Sequence, residues 1–588
     1  MLANIDIQKL YVKNSLPHLE KSDASVLSSA KDETEFQRIR IITIIAMFLT
    51  TMLAVRLIYL NTVSTKFLTN QINSRIMRTQ SIPAMRGEIV DRNGNPLAVS
   101  TPVSSIWVDP NDLDDLTNEQ VNLLAKILAM PVSELNSKLN EKNKHFVYLK
   151  RAVSPETAEA VMDVGVDGIS TMQEYKRYYP NGEVTAHLVG FNNIDDKGSE
   201  GIEYAKNKDL LGVDGSRQII RDRQGHVVEN IGTTNPANNG ATVQLAINNK
   251  IQYIAYNALK NQITNMKAKA GSAIVMDAKT GEVLAMVNMP TYNPNNRSGV
   301  DPDMLKNRAV TNVYDPGSIM KPLVIAKALD DKKVTPTTVF DTHAFRVGIK
   351  TIKDDEPEPS LNVEQIIVKS SDIGTSKIAL KYQPQTLWNY YKSIGFGSKI
   401  GSGFPGETSG ILANWKNWHP MDQALMSFGY GISVSLFQMA HAYTVFTNEG
   451  CVLPVSFYKL SGDKKVQCTQ VLSPATADKM REMLQKVTEE GTGRNAQVDD
   501  YTTAGKTGTA QKNIGGHYSN HNHIASFVGF APAKNPKVII AIMVDNPTKS
   551  YYAAAVAAPV FAQIAEPTLH ELGVTPDKTA APAKVTKH

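Results

Sequence analysis

The chain has 588 residues, with 62 Lys and Arg against 57 Asp and Glu and a formal net charge of +5. One hydrophobic core does not organise so long a chain, so at least two domains are expected. Hydrophobic residues make up 42% and charged residues 20%, a composition that excludes a largely disordered protein. The mild charge, without a clustered basic stripe, argues against a nucleic-acid partner.

An apolar segment near the N-terminus predicts a transmembrane helix. Residues 41–60 contain a single charge, Arg56, and twenty helical residues span about 30 Å, the thickness of the hydrocarbon core of a bilayer. A cleaved signal peptide is the alternative, but forty residues precede the apolar segment and no small-residue cleavage site follows it. We therefore predict a tail over residues 1–37 and an uncleaved anchor over 38–60. Basic residues flank both ends, so charge alone does not decide the orientation.

The rest of the chain shows local patterns of strands and helices. RGEIVDRNGNPLAVS, which begins at Arg86, predicts a hairpin, because Asn93-Gly94 supplies the positive φ of a tight turn. From about residue 239, a strand, a helix and a buried hairpin are followed by a helical middle and by the apolar strands Ile524–Phe530 and Val538–Val544. This order predicts an α/β domain whose sheet uses both ends of the segment. Residues 573–588 are rich in Ala, Pro and Lys and are predicted to be disordered.

The first motif with chemical meaning is YDPGSIMKP, in which Ser318 and Lys321 are three residues apart. On a helix these positions share a face, so the amine can reach the hydroxyl. A desolvated lysine can act as the base that turns a serine into a nucleophile. This pair recurs often by chance, and alone it is a weak signal.

Two further motifs follow, KSSDIGTSKIAL from Lys369 and AGKTGTAQK from Ala504. In the latter, Lys506-Thr507-Gly508 before an apolar strand predicts an exposed edge strand that offers a cation, hydroxyls and backbone groups to a ligand. A phosphate loop is the alternative, but it needs a glycine at position 500, where the chain has Asp500.

In this order, the three motifs resemble those of β-lactamases and penicillin-binding proteins. MSFGYGISVSLFQMAHAY, YYAAAVAAPVF, the anchor and the RGEIVDRNG hairpin extend the resemblance to the FtsI-type class B penicillin-binding proteins (penicillin-binding protein 3, the septal peptidoglycan transpeptidase) over about residues 38–572. The resemblance implies a penicillin-binding/serine β-lactamase-like domain over residues 233–572, of α/β class with a central antiparallel sheet and helices. It also implies a non-catalytic α+β pedestal over residues 61–232.

The resemblance implies a D,D-transpeptidase that cross-links stem peptides through a serine acyl-enzyme, without metal or cofactor. The resemblance implies that Ser318 is the nucleophile and that Lys321 is its base. It also implies that Ser370 shuttles a proton to the leaving amine and that Lys506 shapes the electrostatic field. The implied substrate-binding residues, among which the threonines bind the substrate carboxylate, are Asp372, Thr507, Gly508 and Thr509. The N–H groups of Ser318 and Thr509 would form the oxyanion hole.

The implied partners are peptidoglycan stem peptides, β-lactam antibiotics bound covalently at Ser318, the membrane glycosyltransferase FtsW and other divisome proteins. The implied location is the bacterial inner membrane, with one span and a periplasmic catalytic domain. The alternatives are a carboxypeptidase or β-lactamase, a non-enzymatic antibiotic sensor and an inactive division scaffold. The pedestal argues against a carboxypeptidase or β-lactamase, and the short N-terminal tail argues against a sensor. The intact motif residues argue against an inactive scaffold. An elongation-type class B enzyme is harder to separate.

Two residues depart from the family pattern. Asp372 stands where the family usually has Asn, and Asp315 where Glu is more frequent. A carboxylate accepts hydrogen bonds but cannot donate them, and it adds a charge. We hypothesise that Asp372 pairs with Lys506 and leaves Lys321 free to act as the base.

Two smaller groups of residues complete the sequence-based predictions. A hairpin register that places Cys451 opposite a position near Pro474 favours unbonded cysteines over a Cys451–Cys468 disulfide. Three histidines follow the third motif in a polar stretch: His517, His521 and His523. We expect this stretch to be a solvated loop rather than a metal site.

Overall fold

The structure is a computed structural model that describes residues 29–62, 77–221, 227–461 and 466–578. Most of the predicted N-terminal tail, the segment 63–76 and the last ten residues lie outside the described residues. The chain forms two compact units, one of Met1–Thr79 with Gln218–Ile231 and one of Gln80–Arg217 with Gly232–His588.

The first helix, α1 (Ser29–Thr62), confirms the predicted apolar helix and begins before the predicted residue 38. Its segment Phe36–Thr62 has a mean hydropathy of 2.3 and is not buried, and it is long and apolar enough to cross a membrane. The hydroxyls of Thr43 and Thr51 donate to the carbonyls of the residues four positions earlier. These polar side chains are therefore satisfied within the helix, as an apolar surrounding requires.

Residues 77–244 form mixed strands and short helices. In chain order they are β1 (Met77–Ile82), β2 (Ile89–Val90), β3 (Pro96–Val108), α2 (Asn118–Ile127), α3 (Val132–Leu139), β4 (Val147–Val153), α4 (Pro155–Met162), β5 (Ile169–Tyr178), α5 (Ala186–Val189), α6 (Gly201–Ala205), α7 (Asn207–Leu210), β6 (Gly215–Arg221), β7 (Val227–Asn235) and β8 (Val243–Gln244). One sheet has the order β4-β3-β2-β8, with β5 also paired to β3, and another has the order β1-β6-β7. The predicted hairpin is confirmed, with Ile89 opposite Ala98 and Gly94 at φ 87° in the turn.

Residues 249–571 form the larger α/β part. Its elements are α8 (Asn249–Met266), β9 (Ala270–Asp277), β10 (Val283–Met289), α9 (Arg308–Thr311), α10 (Lys321–Asp330), β11 (Val339–Asp341), β12 (Phe345–Val347), β13 (Lys350–Ile352), β14 (Ser360–Asn362), α11 (Val363–Val368), α12 (Asp372–Ala379), α13 (Pro384–Ser393), α14 (Pro420–Ser427), α15 (Leu436–Ala442), α16 (Thr444–Thr447), β15 (Cys451–Val452), β16 (Thr469–Gln470), α17 (Pro474–Glu489), β17 (Ala504–Ile514), β18 (His517–Ala531), β19 (Val538–Asp545), α18 (Ala553–Val556) and α19 (Ala558–Glu571). The order β10-β9-β19-β18-β17 is antiparallel throughout and confirms the predicted central sheet.

Both faces of this sheet are buried, which explains why the sequences of its strands are continuous runs of apolar residues. On β9, Val275 belongs to the core under α8 and α19, whereas Ile274 and Met276 belong to the core under the helical middle of the chain. The second core also contains Leu97 and Tyr179 from the N-terminal part. The N-terminal part of the second unit and the α/β part therefore share one continuous core.

The cysteine prediction was wrong, because Cys451 and Cys468 form a disulfide with Cα atoms 5.8 Å apart. Cys451 pairs with Gln470 rather than with a position near Pro474. The residues that follow β15 do not form a hairpin with the residues before β16. They lie instead beside β10, where the N–H of Val283 donates to the carbonyl of Ser456. The sequence pattern could not indicate this long-range pairing.

The C-terminal boundary also differs from the prediction. Tyr501 donates its hydroxyl to the carbonyl of Val574 at 2.6 Å, and the N–H of Thr502 donates to Asp577 at 2.7 Å. Ordered contacts therefore continue beyond residue 572.

A buried ion triad connects the RGEIVDRNG hairpin to the rest of the second unit. Arg86 and Glu203 are fully buried, with Nη2 and Oε2 2.6 Å apart, and Nε of Arg177 donates to the other oxygen of Glu203 at 2.7 Å. Arg86 also donates to the carbonyl of Asp196 at 2.9 Å. A single carboxylate thus neutralises two buried guanidinium groups.

We predict that Glu203→Ala lowers the free energy of unfolding by about 3–5 kcal/mol, because it removes the carboxylate that both buried guanidinium groups contact. Chemical denaturation followed by circular dichroism measures the change. The matched control is Glu200→Ala, three residues earlier and exposed, which should change stability by about 0.5 kcal/mol or less. Equal effects of the two substitutions would contradict a structural role for the triad.

Candidate functional site

Ser318 lies on a tightly held turn. Residues Gly317–Met320 form one turn of 3-10 helix that leads directly into α10. The N–H of Gly317 donates to the carbonyl of Gly429 at 3.1 Å, and the buried Tyr443 donates its hydroxyl to the carbonyl of Ile319 at 2.8 Å. A Cβ on Gly429 would come within 2.3 Å of the Gly317 backbone, so no other residue fits there. The nucleophile turn, Gly317–Met320, is therefore fixed from both sides.

Lys321 follows on the first turn of α10, with its side chain 1% exposed. Its Nζ lies 2.6 Å from Oδ1 of Asp372, 2.5 Å from the carbonyl oxygen of Ser370 and 3.1 Å from Ser370 Oγ. Three oxygen acceptors match the three N–H groups of an ammonium. The first and second motifs thus meet at this amine.

The second motif is shaped by the junction between α11 and α12. Ser370 has φ 61°, and Ser371 caps α12 by accepting the N–H of Gly374 at 2.9 Å. Sequence analysis missed Asp354, whose carboxylate accepts the hydroxyl of Ser371 at 2.5 Å and the N–H of Asp372 at 2.6 Å. An acidic residue at a helix N-terminus is favoured by the helix dipole. Only the long-range fold brings Asp354 to this helix.

The structure contradicts the hypothesis that Asp372 pairs with Lys506, because the carboxylate contacts Lys321 instead. Burial raises the pKa of Asp372, Lys321 opposes that shift, and Asp354 and Asp355 add to it. Burial lowers the pKa of Lys506 well below its usual range, and the nearby Lys321 lowers it further. Asp372 thus forms an ion pair with Lys321, the lysine that follows the nucleophile.

Lys506 is fully buried on β17 at the edge of the central sheet. Its Nζ donates to the carbonyl and the hydroxyl of Thr507 at 3.2 and 3.3 Å, and to the hydroxyl of Thr492 at 3.4 Å. The hydroxyls of Thr492 and Thr507 are 2.7 Å apart. Thr492 is a further residue that the sequence pattern did not indicate, since it lies before the third motif on a different element.

The third motif packs directly against the nucleophile turn. A Cβ on Gly508 would lie 2.8 Å from the carbonyl oxygen of Pro316 and 2.6 Å from Ser526 Oγ. Close packing on the turn thus requires glycine here. Thr509 is next to the same turn, and its hydroxyl accepts the N–H of Ala553 at 3.1 Å.

The histidine-rich segment is not a loop. His517 begins β18 and pairs with Ile514 across a Gly515-Gly516 turn with positive φ at both residues, the conformation of a two-residue hairpin. His523 stacks on the ring of Tyr551 at 4.5 Å.

Among the described residues, the cluster with metal-type donors is made of Asp500, Glu566 and His570, whose donor atoms lie within 4.8 Å of one another. It contains no residue of the three motifs. The motif residues offer one hydroxyl nucleophile, two lysines and an edge strand, a set suited to serine acyl transfer.

Comparisons with known proteins agree with this chemistry. Residues 271–566 match the model of the penicillin-binding protein transpeptidase domain, and residues 81–245 match that of the penicillin-binding protein dimerisation domain. The chain is 41% identical to the probable peptidoglycan D,D-transpeptidase PenA of Neisseria gonorrhoeae, over 91% of this chain and 92% of that protein. It is 36% identical to the peptidoglycan D,D-transpeptidase FtsI of Escherichia coli, over 89% and 90%.

Among solved structures, the apo transpeptidase domain of Burkholderia pseudomallei penicillin-binding protein 3 is similar. It is 42% identical with a TM-score of 0.53, and the match covers 57% of this chain and 98% of that one.

We predict that Asp372→Asn accelerates acylation by a β-lactam about tenfold at neutral pH, a barrier change of about 1.4 kcal/mol. The variant replaces the carboxylate 2.6 Å from Nζ of Lys321 with a neutral amide, so the acid side of the pH–rate profile should also move to lower pH. Stopped-flow acylation across pH measures both effects. Glu356→Gln removes an exposed carboxylate of the same loop as Asp354 and should stay within about twofold. An unchanged rate and profile for Asp372→Asn would contradict the assignment.

Proposed function

This chain belongs to the penicillin-binding protein transpeptidase family, and on that premise we propose that it cross-links peptidoglycan stem peptides during septal wall synthesis. The observation that carries the proposal is the convergence of three motifs on one turn. Ser318 precedes Lys321, which contacts Ser370, and the turn of Ser318 packs against the edge strand that carries Lys506. The β-lactams would acylate the same serine.

In the proposed mechanism, Ser318 Oγ attacks the carbonyl carbon of the penultimate D-alanine of a stem peptide. Lys321 accepts the serine proton once it has itself lost a proton from the pair with Asp372. Ser370 Oγ, 3.1 Å from Lys321 Nζ, passes a proton to the leaving amine as the peptide bond breaks. D-Alanine departs and leaves an ester on Ser318.

The second half of the reaction transfers the acyl group to the amine of a neighbouring stem. The amine attacks the ester carbonyl, its proton returns through the lysine and serine groups, and Ser318 Oγ leaves. The N–H groups of Ser318 and Thr509 would stabilise the oxyanion in both steps, which fits the packing of β17 against the turn. The hydroxyls of Thr507 and Thr509, together with Asp372 and Gly508, would line the substrate.

A periplasmic location for the catalytic part is the second element of the proposal. The disulfide between Cys451 and Cys468 supports it, because disulfides persist in oxidising compartments and are rare in the cytosol. One apolar helix, α1, would then anchor the chain in the inner membrane, with residues 61–232 as a pedestal below the catalytic part at 233–572. This arrangement would place the enzyme beside FtsW and other divisome proteins.

The chemical role is tested by covalent labelling. We predict that the full-length protein in detergent is labelled by a fluorescent penicillin and that Ser318→Ala abolishes the label. Lys321→Ala should suppress labelling almost as strongly, because residues that act as one unit are not additive. Ser409→Ala, at an exposed serine outside the three motifs, is the control and should be labelled like wild type. Undiminished labelling of Ser318→Ala would refute the acyl-enzyme.

The septal role is tested in cells. Depletion of the protein should yield filaments, because cells that elongate without closing septa grow in length, whereas loss of an elongation enzyme should yield rounded cells. A plasmid copy of the wild type should restore division, and Ser318→Ala should not, although immunoblotting shows equal amounts. Rounded cells on depletion would assign the enzyme to elongation.

A further inference from the structure

The β17–β18 hairpin extends beyond the central sheet next to the nucleophile turn. The register of the two strands shifts between Gln511 and Asn513, and the hairpin continues to its Gly515-Gly516 turn. Such bulges bend a hairpin and redirect its tip. Beyond the bulge, Asn513 and Ile514 are exposed, so the position of the tip depends on a few side-chain contacts.

The main contact is made by Tyr518, which follows the turn on β18. Its hydroxyl donates to Oδ2 of Asp315 at 2.6 Å, although its side chain is 40% exposed. Asp315 is buried and precedes the nucleophile Ser318 by three residues. A hydrogen bond to a carboxylate is stronger than one between neutral groups. The hairpin tip is thus bonded to the loop that carries the nucleophile.

A third segment completes the arrangement. The ring of Tyr430 packs edge-to-face on Tyr518, with centroids 5.2 Å apart, and its hydroxyl accepts the N–H of Gln511 at 3.2 Å. On the same loop, the hydroxyl of Ser433 donates to the other oxygen of Asp315 at 3.2 Å. Asp315 therefore joins the nucleophile loop, the Tyr430–Ser433 segment and the hairpin.

We propose that Tyr518 is a positioning residue for acylation: its hydrogen bond to Asp315 holds the β17–β18 hairpin against the nucleophile turn and fixes the separation between Ser318 and the edge of β17. The proposal rests on the proposed function, since it concerns the same acyl transfer. The Tyr518 hydroxyl positions the hairpin and takes no part in proton transfer. Its loss should therefore affect the rate constant of acylation more than the binding of the β-lactam before reaction.

The experiment measures acylation of the full-length protein by a fluorescent penicillin over a range of concentrations, which separates the acylation rate constant from the preceding binding constant. Tyr518→Phe keeps the ring contact with Tyr430 and removes only the hydroxyl. We expect its acylation rate constant to fall about tenfold, with the binding constant and the midpoint of thermal unfolding nearly unchanged. Ser433→Ala removes the other hydroxyl on Asp315 without contacting the hairpin, and it should acylate within about twofold of wild type.

A double-mutant cycle shows whether the bond itself carries the effect. Asp315→Ala also removes the bond to Ser433, so it should lose at least as much as Tyr518→Phe. The double variant should lose no more than Asp315→Ala alone, because the bond that Tyr518→Phe removes is already absent there. Losses that multiply in the double variant, or a rate for Tyr518→Phe within twofold of wild type, would overturn the proposal. A wild type that is not labelled at all would refute the proposed function instead.

Discussion

The contact between β17 and the nucleophile turn is the constraint on which the site depends. Gly508 lets the strand approach the carbonyl of Pro316, and Gly429 lets a second loop approach Gly317 from another side. A side chain at either glycine would collide with backbone atoms, and backbone cannot move aside as a flexible side chain can. Ser318 is therefore placed by packing of main chain on main chain, and this rigidity suits a reaction that requires reacting atoms aligned within a fraction of an ångström.

Electrostatics then divides the roles of the two buried lysines. Lys321 has a carboxylate partner in Asp372, whereas the neighbours of Lys506 are hydroxyl and carbonyl oxygens. Two adjacent cations in a buried site repel each other, and Lys321 thereby adds to the effect of burial in lowering the pKa of Lys506. The Asp372 carboxylate thus adds a negative charge beside one of the two lysines.

Within the second unit, the N-terminal part and the catalytic part are joined by buried contacts. Arg86 of the hairpin is neutralised by Glu203, and Leu97 and Tyr179 lie in the same core as Ile274 of the central sheet. Motion of the N-terminal part within this unit would therefore disturb the core that supports the catalytic sheet.

The sequence by itself determined the apolar helix, the hairpin at Asn93-Gly94, the apolar strands of the central sheet and the three motifs. Each of these depends on local periodicity, turn chemistry or short spacing. Tertiary structure decided which groups meet across long separations. Asp372 contacts Lys321 and not Lys506, Asp354 supports the second motif, and Cys451 reaches Cys468. Side chains from different elements meet only after the sheet and helices pack, so neither spacing nor composition records their partners.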